Sequence, residues 1–179
     1  MRNQELKPWI IRDYLRCSGC KLCEVACSLK HENRIWPEAS RVRVFTLVPG
    51  AEVPHLCTQC SDYPCVSSCP QEALSVHPKT GAVIVDDDAC TACGICAKAC
   101  PGEIPHLHPE GDRFVICDLC GGEPECAKIC TEAGYRALTL GTKNPRQRVT
   151  YDLYAAKPED ITKNLVVNLY GEKGEELYK

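Results

Sequence analysis

Sixteen of the 179 residues are cysteines, and their spacing is regular enough to name a chemistry. Cys17, Cys20, Cys23 and Cys27 form C-x2-C-x2-C-x3-C; Cys90, Cys93, Cys96 and Cys100 repeat that spacing and are followed by Pro101. Cys57, Cys60, Cys65 and Cys69 form C-x2-C-x4-C-x3-C before Pro70, and Cys117, Cys120, Cys126 and Cys130 form C-x2-C-x5-C-x3-C. No cysteine is left over. Disulfides are the weakest reading, because cysteines two residues apart bridge only with strain. Structural zinc uses paired C-x2-C knuckles, but a third cysteine at the next short step has no place in that pattern. A cubane iron–sulfur cluster accounts for it. A tight loop wraps three thiolates around one cluster, and the cysteine after x3 points elsewhere. In the bacterial C-x2-C-x2-C-x3-C-P run that fourth cysteine ligates the other cluster of a pair. Sixteen thiolates therefore predict four [4Fe–4S] clusters. Gly19, Gly94 and the pair Gly121-Gly122 suit such loops by letting backbone amides come close to a bulky ligand.

Composition agrees. Without its cysteines the chain is only about 35% apolar, against roughly 45–50% in ordinary domains. Something bound to the cysteines must supply part of the core, so the composition argues against a self-sufficient, cofactor-free fold. A net charge of −3 shows no basic face for nucleic acid. No apolar stretch approaches the roughly 20 residues of a membrane span. The first residues lack an apolar h-region, which predicts no secretory signal and a place in the reducing cytoplasm, where dense cysteines bind metal.

The elements that position the thiols are expected to be short. Strands are predicted at 9–11, before the first group, and at 41–45, after it, where Arg41-Val42-Arg43-Val44-Phe45 alternates with period two. Leu74-Ser75-Val76 and Ala82-Val83-Ile84-Val85 flank Pro78-Lys79-Thr80-Gly81 and read as a hairpin. Arg113-Phe114-Val115-Ile116 leads into the last group. Leu138-Thr139-Leu140 and Arg148-Val149-Thr150-Tyr151 suggest another hairpin, and helices are expected after Cys23 and Cys96. The fold class is α+β and loop-rich. Group, hairpin and group follow in succession from 57 to 101, the layout of a complete two-cluster ferredoxin. The predicted architecture is thus an inner module at 57–101 inserted in an outer one, 1–56 with 102–151, with a cysteine-free tail at 152–179. The tail is too apolar for disorder and packs on its own domain or on a partner subunit. His31, His55, His77, His106 and His108 are scattered and read as surface or turn residues. Lys21, Lys30, Lys98 and Lys128 stand by the groups, where they could offset cluster charge. Four clusters at −2 each bring the holoprotein to about −11.

The run from Arg16 to Glu32, followed by Ser40-Arg41-Val42-Arg43-Val44, resembles the four-cluster iron–sulfur subunits of bis-pterin molybdenum and tungsten oxidoreductases, the DMSO-reductase type. Cys117-Asp118-Leu119-Cys120-Gly121-Gly122-Glu123-Pro124 is similar to the same family. The resemblance covers about residues 10–142. The short x5 gap in the last group is more like the soluble small subunits that accompany aldehyde oxidoreductase-type tungsten enzymes. That group includes aldehyde oxidoreductases and the tungsten benzoyl-CoA reductase, the last being the analogue favoured. Ser28 and Thr131, where ferredoxins carry Pro after the fourth cysteine, leave ligation intact. The resemblance implies a non-catalytic electron-transfer subunit between a large tungsten- or molybdenum-pterin catalytic subunit and a second redox partner, a ferredoxin or flavoprotein subunit, with clusters of low potential. A free-standing polyferredoxin and a structural zinc module are the alternatives. Two pairings use every thiol: a sequential one, and a nested one in which the inner groups exchange their fourth ligands and the outer groups do likewise. Short connections favour the nested pairing, and the resemblance implies it too. One cluster is then expected on Cys17, Cys20, Cys23 and Cys130, and a second on Cys117, Cys120, Cys126 and Cys27. The third takes Cys57, Cys60, Cys65 and Cys100, and the fourth Cys90, Cys93, Cys96 and Cys69.

Overall fold

A computed structural model describes residues 6–143 and 154–178. Among the described residues, eight strands form four separate two-stranded antiparallel sheets. Strand β1 (Lys7–Arg12) pairs with β8 (Leu138–Lys143), so the start of the cysteine-bearing segment is zipped to its end. Strand β2 (Arg43–Val48) pairs with β3 (Ala51–His55) through a bulge between Thr46 and Val48. Strands β4 (Leu74–Val76) and β5 (Val83–Val85) form the expected hairpin, and β6 (His106–Leu107) pairs with β7 (Phe114–Val115). The strand at Leu138 therefore finds its partner at the other end of the chain. The second strand expected for it, 148–151, lies outside the described residues.

Two-stranded ladders are marginal by themselves, so the helices and the thiol loops must hold them. Helix α1 (Leu22–Glu32) carries Cys23 and Cys27 and packs on α4 (Glu125–Glu132), which carries Cys126 and Cys130. Short helices α2 (Pro64–Ser67) and α3 (Ile95–Ala99) carry Cys65 and Cys96 and pack on each other. Eight of the twenty buried residues of the main core are cysteines, packed with Ile10, Leu56, Leu119 and Leu138. The tail folds back on its own chain. Helix α5 (Pro158–Tyr170) lies on the β2–β3 hairpin, with Val166 fully buried against Val48 and Ala51, and α6 (Glu172–Leu177) follows it. No helix among the described residues is long and apolar enough to cross a membrane.

Candidate metal centres

The opening C-x2-C step of each group makes the same backbone turn. The residue before the second cysteine is left-handed in all four loops: Gly19 (φ 71°), Gln59 (45°), Ala92 (54°) and Leu119 (58°). The residue after it is left-handed too at Lys21, Gly94 and Gly121. Such turns aim successive N–H groups at one point and build a concave anion nest. For Gln59, Ala92 and Leu119 the conformation costs of order 1 kcal/mol each and persists only where the surroundings enforce it. Glycine signalled this turn in one loop at that position; in the other three nothing in the residue type did.

Three apolar cavities hold thiols in fours. Cys17, Cys20 and Cys23 line one together with Cys130, more than a hundred residues away, and Val44 and Leu138 close its walls. Cys57, Cys60 and Cys65 line another with Cys100, beside Val83 and Ile116. Cys90, Cys93 and Cys96 line a third with Cys69, under Phe114. The remaining four thiols influence one another electrostatically. Burial pushes the Cys126 thiol well up, and Cys27, Cys23 and Cys120 add to it; burial raises Cys117 likewise, reinforced by Cys126, Cys57 and Cys27. All sixteen thiols are free, and only Cys20 and Cys93 are exposed.

The donor set suits a cationic iron–sulfur core. Burial, and then the neighbouring thiols, push Cys57 up to about 12 and Cys96 to about 11. Thiolates this close repel and lose their protons together only around a cation. Backbone N–H groups donate to sulfur from Arg41 to Cys27 (3.2 Å), Gln59 to Cys57 (3.4 Å), Leu138 to Cys130 (3.4 Å) and Phe114 to Cys90 (3.5 Å). Such bonds stabilise charge on cluster sulfurs. Arg12 points the same way. It is 3% exposed, and its Nη2 donates to the carbonyls of Leu56 (2.7 Å) and Cys57 (3.1 Å). Among the described residues no carboxylate pairs with it. A buried cation without a counter-charge is costly, and a net-negative cluster held beside Cys57 would supply one.

Four of the histidines correct the expectation of surface or turn positions, while His77 does open the turn before β5. His31 sits between two cysteine groups: Nδ1 donates to the Cys27 carbonyl (2.8 Å), and Nε2 contacts Asp118 Oδ1 (3.0 Å). Burial works against its charge, but Asp118 and Cys27 outweigh it and raise His31 to about 9. Burial would likewise raise Cys27, yet the His31 contact and the Arg41 N–H bring that thiol below its ordinary value. His55 (5% exposed) and His108 (1%) are core residues. Burial, with arginines nearby, drives His55 down to about 4, and His108 packs edge-on against Trp36 at 5.1 Å. Sequence could not show this, since Asp118, Gly102 and Trp36 are all remote from the histidines they meet. Lys21, Lys30, Lys98 and Lys128 are exposed.

A family model for the 4Fe-4S dicluster domain matches residues 50–141, just over half the chain. The polyferredoxin-like subunit of an aliphatic sulfonate oxidoreductase from Pyrococcus furiosus is 52% identical over 92% of this chain and 94% of its own. The iron–sulfur subunit of formate dehydrogenase-O from Escherichia coli is 32% identical over 73% of this chain, a match that spans 52% of that longer relative. Among solved structures, one subunit of the active-site complex BamBC of benzoyl coenzyme A reductase aligns over 96% of both sequences at 24% identity, with a TM-score of 0.44. Four thiol groups, their nest-like loops and the sequence relatives meet in one conclusion: the chain belongs to the 4Fe-4S dicluster family, as the iron–sulfur electron-transfer subunit of an oxidoreductase complex and not its catalytic one.

Proposed function

We propose that this chain carries four [4Fe–4S] clusters and relays single electrons between a tungsten- or molybdenum-pterin catalytic subunit and a second redox partner, a ferredoxin or flavoprotein subunit. One observation carries the reading: three separate cavities are each lined by three thiols of one loop and the fourth thiol of another. Cys17, Cys20, Cys23 and Cys130 would hold one cluster, and Cys117, Cys120, Cys126 and Cys27 the second. Cys57, Cys60, Cys65 and Cys100 would hold the third, and Cys90, Cys93, Cys96 and Cys69 the fourth. When bound, each cluster supplies a one-electron centre. The chain's own residues set the order. Helices α1 and α4 join the first two sets, Cys117, in the same buried core as Cys57, joins the second to the third, and α2 with α3 joins the third to the fourth. The exposed thiols, Cys20 and Cys93, belong to the two ends of that line, where partners can approach.

This ligand pattern supports an outer module of 1–56 with 102–151 around an inner one at 57–101. Sixteen free thiols fit a reducing compartment, the cytoplasm. For the catalytic partner, the 52% identical relative favours an enzyme acting on aliphatic sulfonates or comparably small substrates over one acting on benzoyl-CoA. The test is anaerobic purification of the native complex. We expect about 16 iron and 16 acid-labile sulfide per chain, with a large subunit containing tungsten or molybdenum. Zinc without sulfide would refute the clusters, and a partner-free native preparation would favour a diffusing polyferredoxin.

A further inference from the structure

Arg12, the last residue of β1, is a buried cation held in place by carbonyls. Its Nη2 donates to Leu56 and Cys57, and its Nη1 donates to the Tyr154 carbonyl at 3.1 Å. The guanidinium also lies over the Tyr154 ring, 5.2 Å from its centre. Carbonyls orient the cation but bring no net charge to cancel it. None of the ion pairs among the described residues includes Arg12. A guanidinium does not lose its proton, so the positive charge beside Cys57 is permanent.

The other three thiol sets see balanced or opposite charge. Near Cys27 of the second, His31 is matched by Asp118 at 3.0 Å and Arg41 by Glu32 at 3.2 Å. Near Cys90 of the fourth, where the Phe114 N–H reaches sulfur, Arg113 is matched by Asp112 at 3.0 Å and Asp87 at 3.3 Å. Carboxylates stand beside the first. Glu24 is buried, accepts the Val44 N–H at 2.6 Å and acts on Cys23, and Glu52 acts on Cys17. The cation in that loop, Lys21, is exposed to solvent, which screens it. A charge counts most where water is excluded. Taking up one electron carries a four-thiolate cluster from about −2 to about −3, and a fixed buried cation stabilises the second state more than the first.

We propose that Arg12 sets the order of filling, so that the cluster on Cys57, Cys60, Cys65 and Cys100 is the first of the four to take up an electron. The inference rests on the proposed ligand sets. The electron, supplied by a redox partner of the chain, then rests at an interior station of the line, away from the exposed Cys20 and Cys93. Repulsion from it makes the next electron the one passed on. The test is a reductive titration of the anaerobic holoprotein with dithionite, followed by EPR for the potentials and by NMR for the shifted cysteine β-protons. In the wild type we expect the signals of Cys57, Cys60, Cys65 and Cys100 to change first. Arg12→Gln should lower one potential enough to disfavour that reduction about tenfold, or about 59 mV for one electron, while Arg12→Lys keeps most of it. First reduction at another set in the wild type would overturn the proposal. So would an Arg12→Gln protein with its iron intact and every potential unmoved, or an Arg12→Lys protein shifted as far as Arg12→Gln. If both variants lose iron, the wild-type order of reduction still decides. Failure of the ligand sets themselves would show separately, as iron for fewer than four clusters or β-proton signals grouping other cysteines.

Discussion

Cys130 shows how far apart in sequence a single site's residues lie. It shares a cavity with Cys17, Cys20 and Cys23, and its sulfur accepts the Leu138 N–H at the mouth of β8. Cys130→Ser should therefore disturb the cluster built on the first loop and leave those at Cys57 and Cys90 intact. EPR of the reduced protein, with iron analysis, would show one altered signal and up to a quarter of the iron lost. The same change following Cys69→Ser would instead establish the sequential pairing. The thiols were legible in the sequence because ligand spacing is a local property. Their surroundings were not. Gln59, Ala92 and Leu119 adopt left-handed turns that only glycine advertises. His31 has a role only because Asp118, eighty-seven residues on, comes within 3.0 Å.

Strands and helices divide along the same line. The β4–β5 hairpin was legible because Pro78-Lys79-Thr80-Gly81 marks its turn between alternating residues. Of the β2–β3 pair only β2 was legible, as the alternation at 41–45, since Pro54 inside β3 argues against a strand; β3 survives in a two-stranded ladder, where Pro54 is opposite Val44. The apolar run at 165–170 gave no hint of helix until Ile161, Thr162 and Val166 were seen on one buried face against the hairpin. Pairing of β1 with β8 was hidden by its length in sequence, yet it matters most for holding the ends. Ile10 is fully buried at the centre of that ladder, opposite Leu140. Ile10→Ala should cost about 2–5 kcal/mol. It would be read as a lower urea concentration for loss of cluster absorbance, whereas Ile11→Ala, at a position 41% exposed, should change little.

For the whole molecule, the thiols stand where other domains place large apolar side chains. Eight of twenty core residues are cysteines, so the metal and the fold form one thermodynamic unit. Removing iron with a chelator should abolish tertiary structure, seen as collapse of NMR dispersion; an apoprotein that kept a dispersed spectrum would show the apolar residues to be sufficient. The clasp of β1 on β8 bears on how such a chain is made. Synthesis at roughly 5–20 residues per second delivers the first thiol loop about 5–20 s before α4, the helix on which α1 packs, and before the strand that locks β1 down. Through that interval the nascent chain carries a naked set of thiols that its own later residues have yet to cover. Its shelter from oxygen and stray metal ions in those seconds must come from outside the chain.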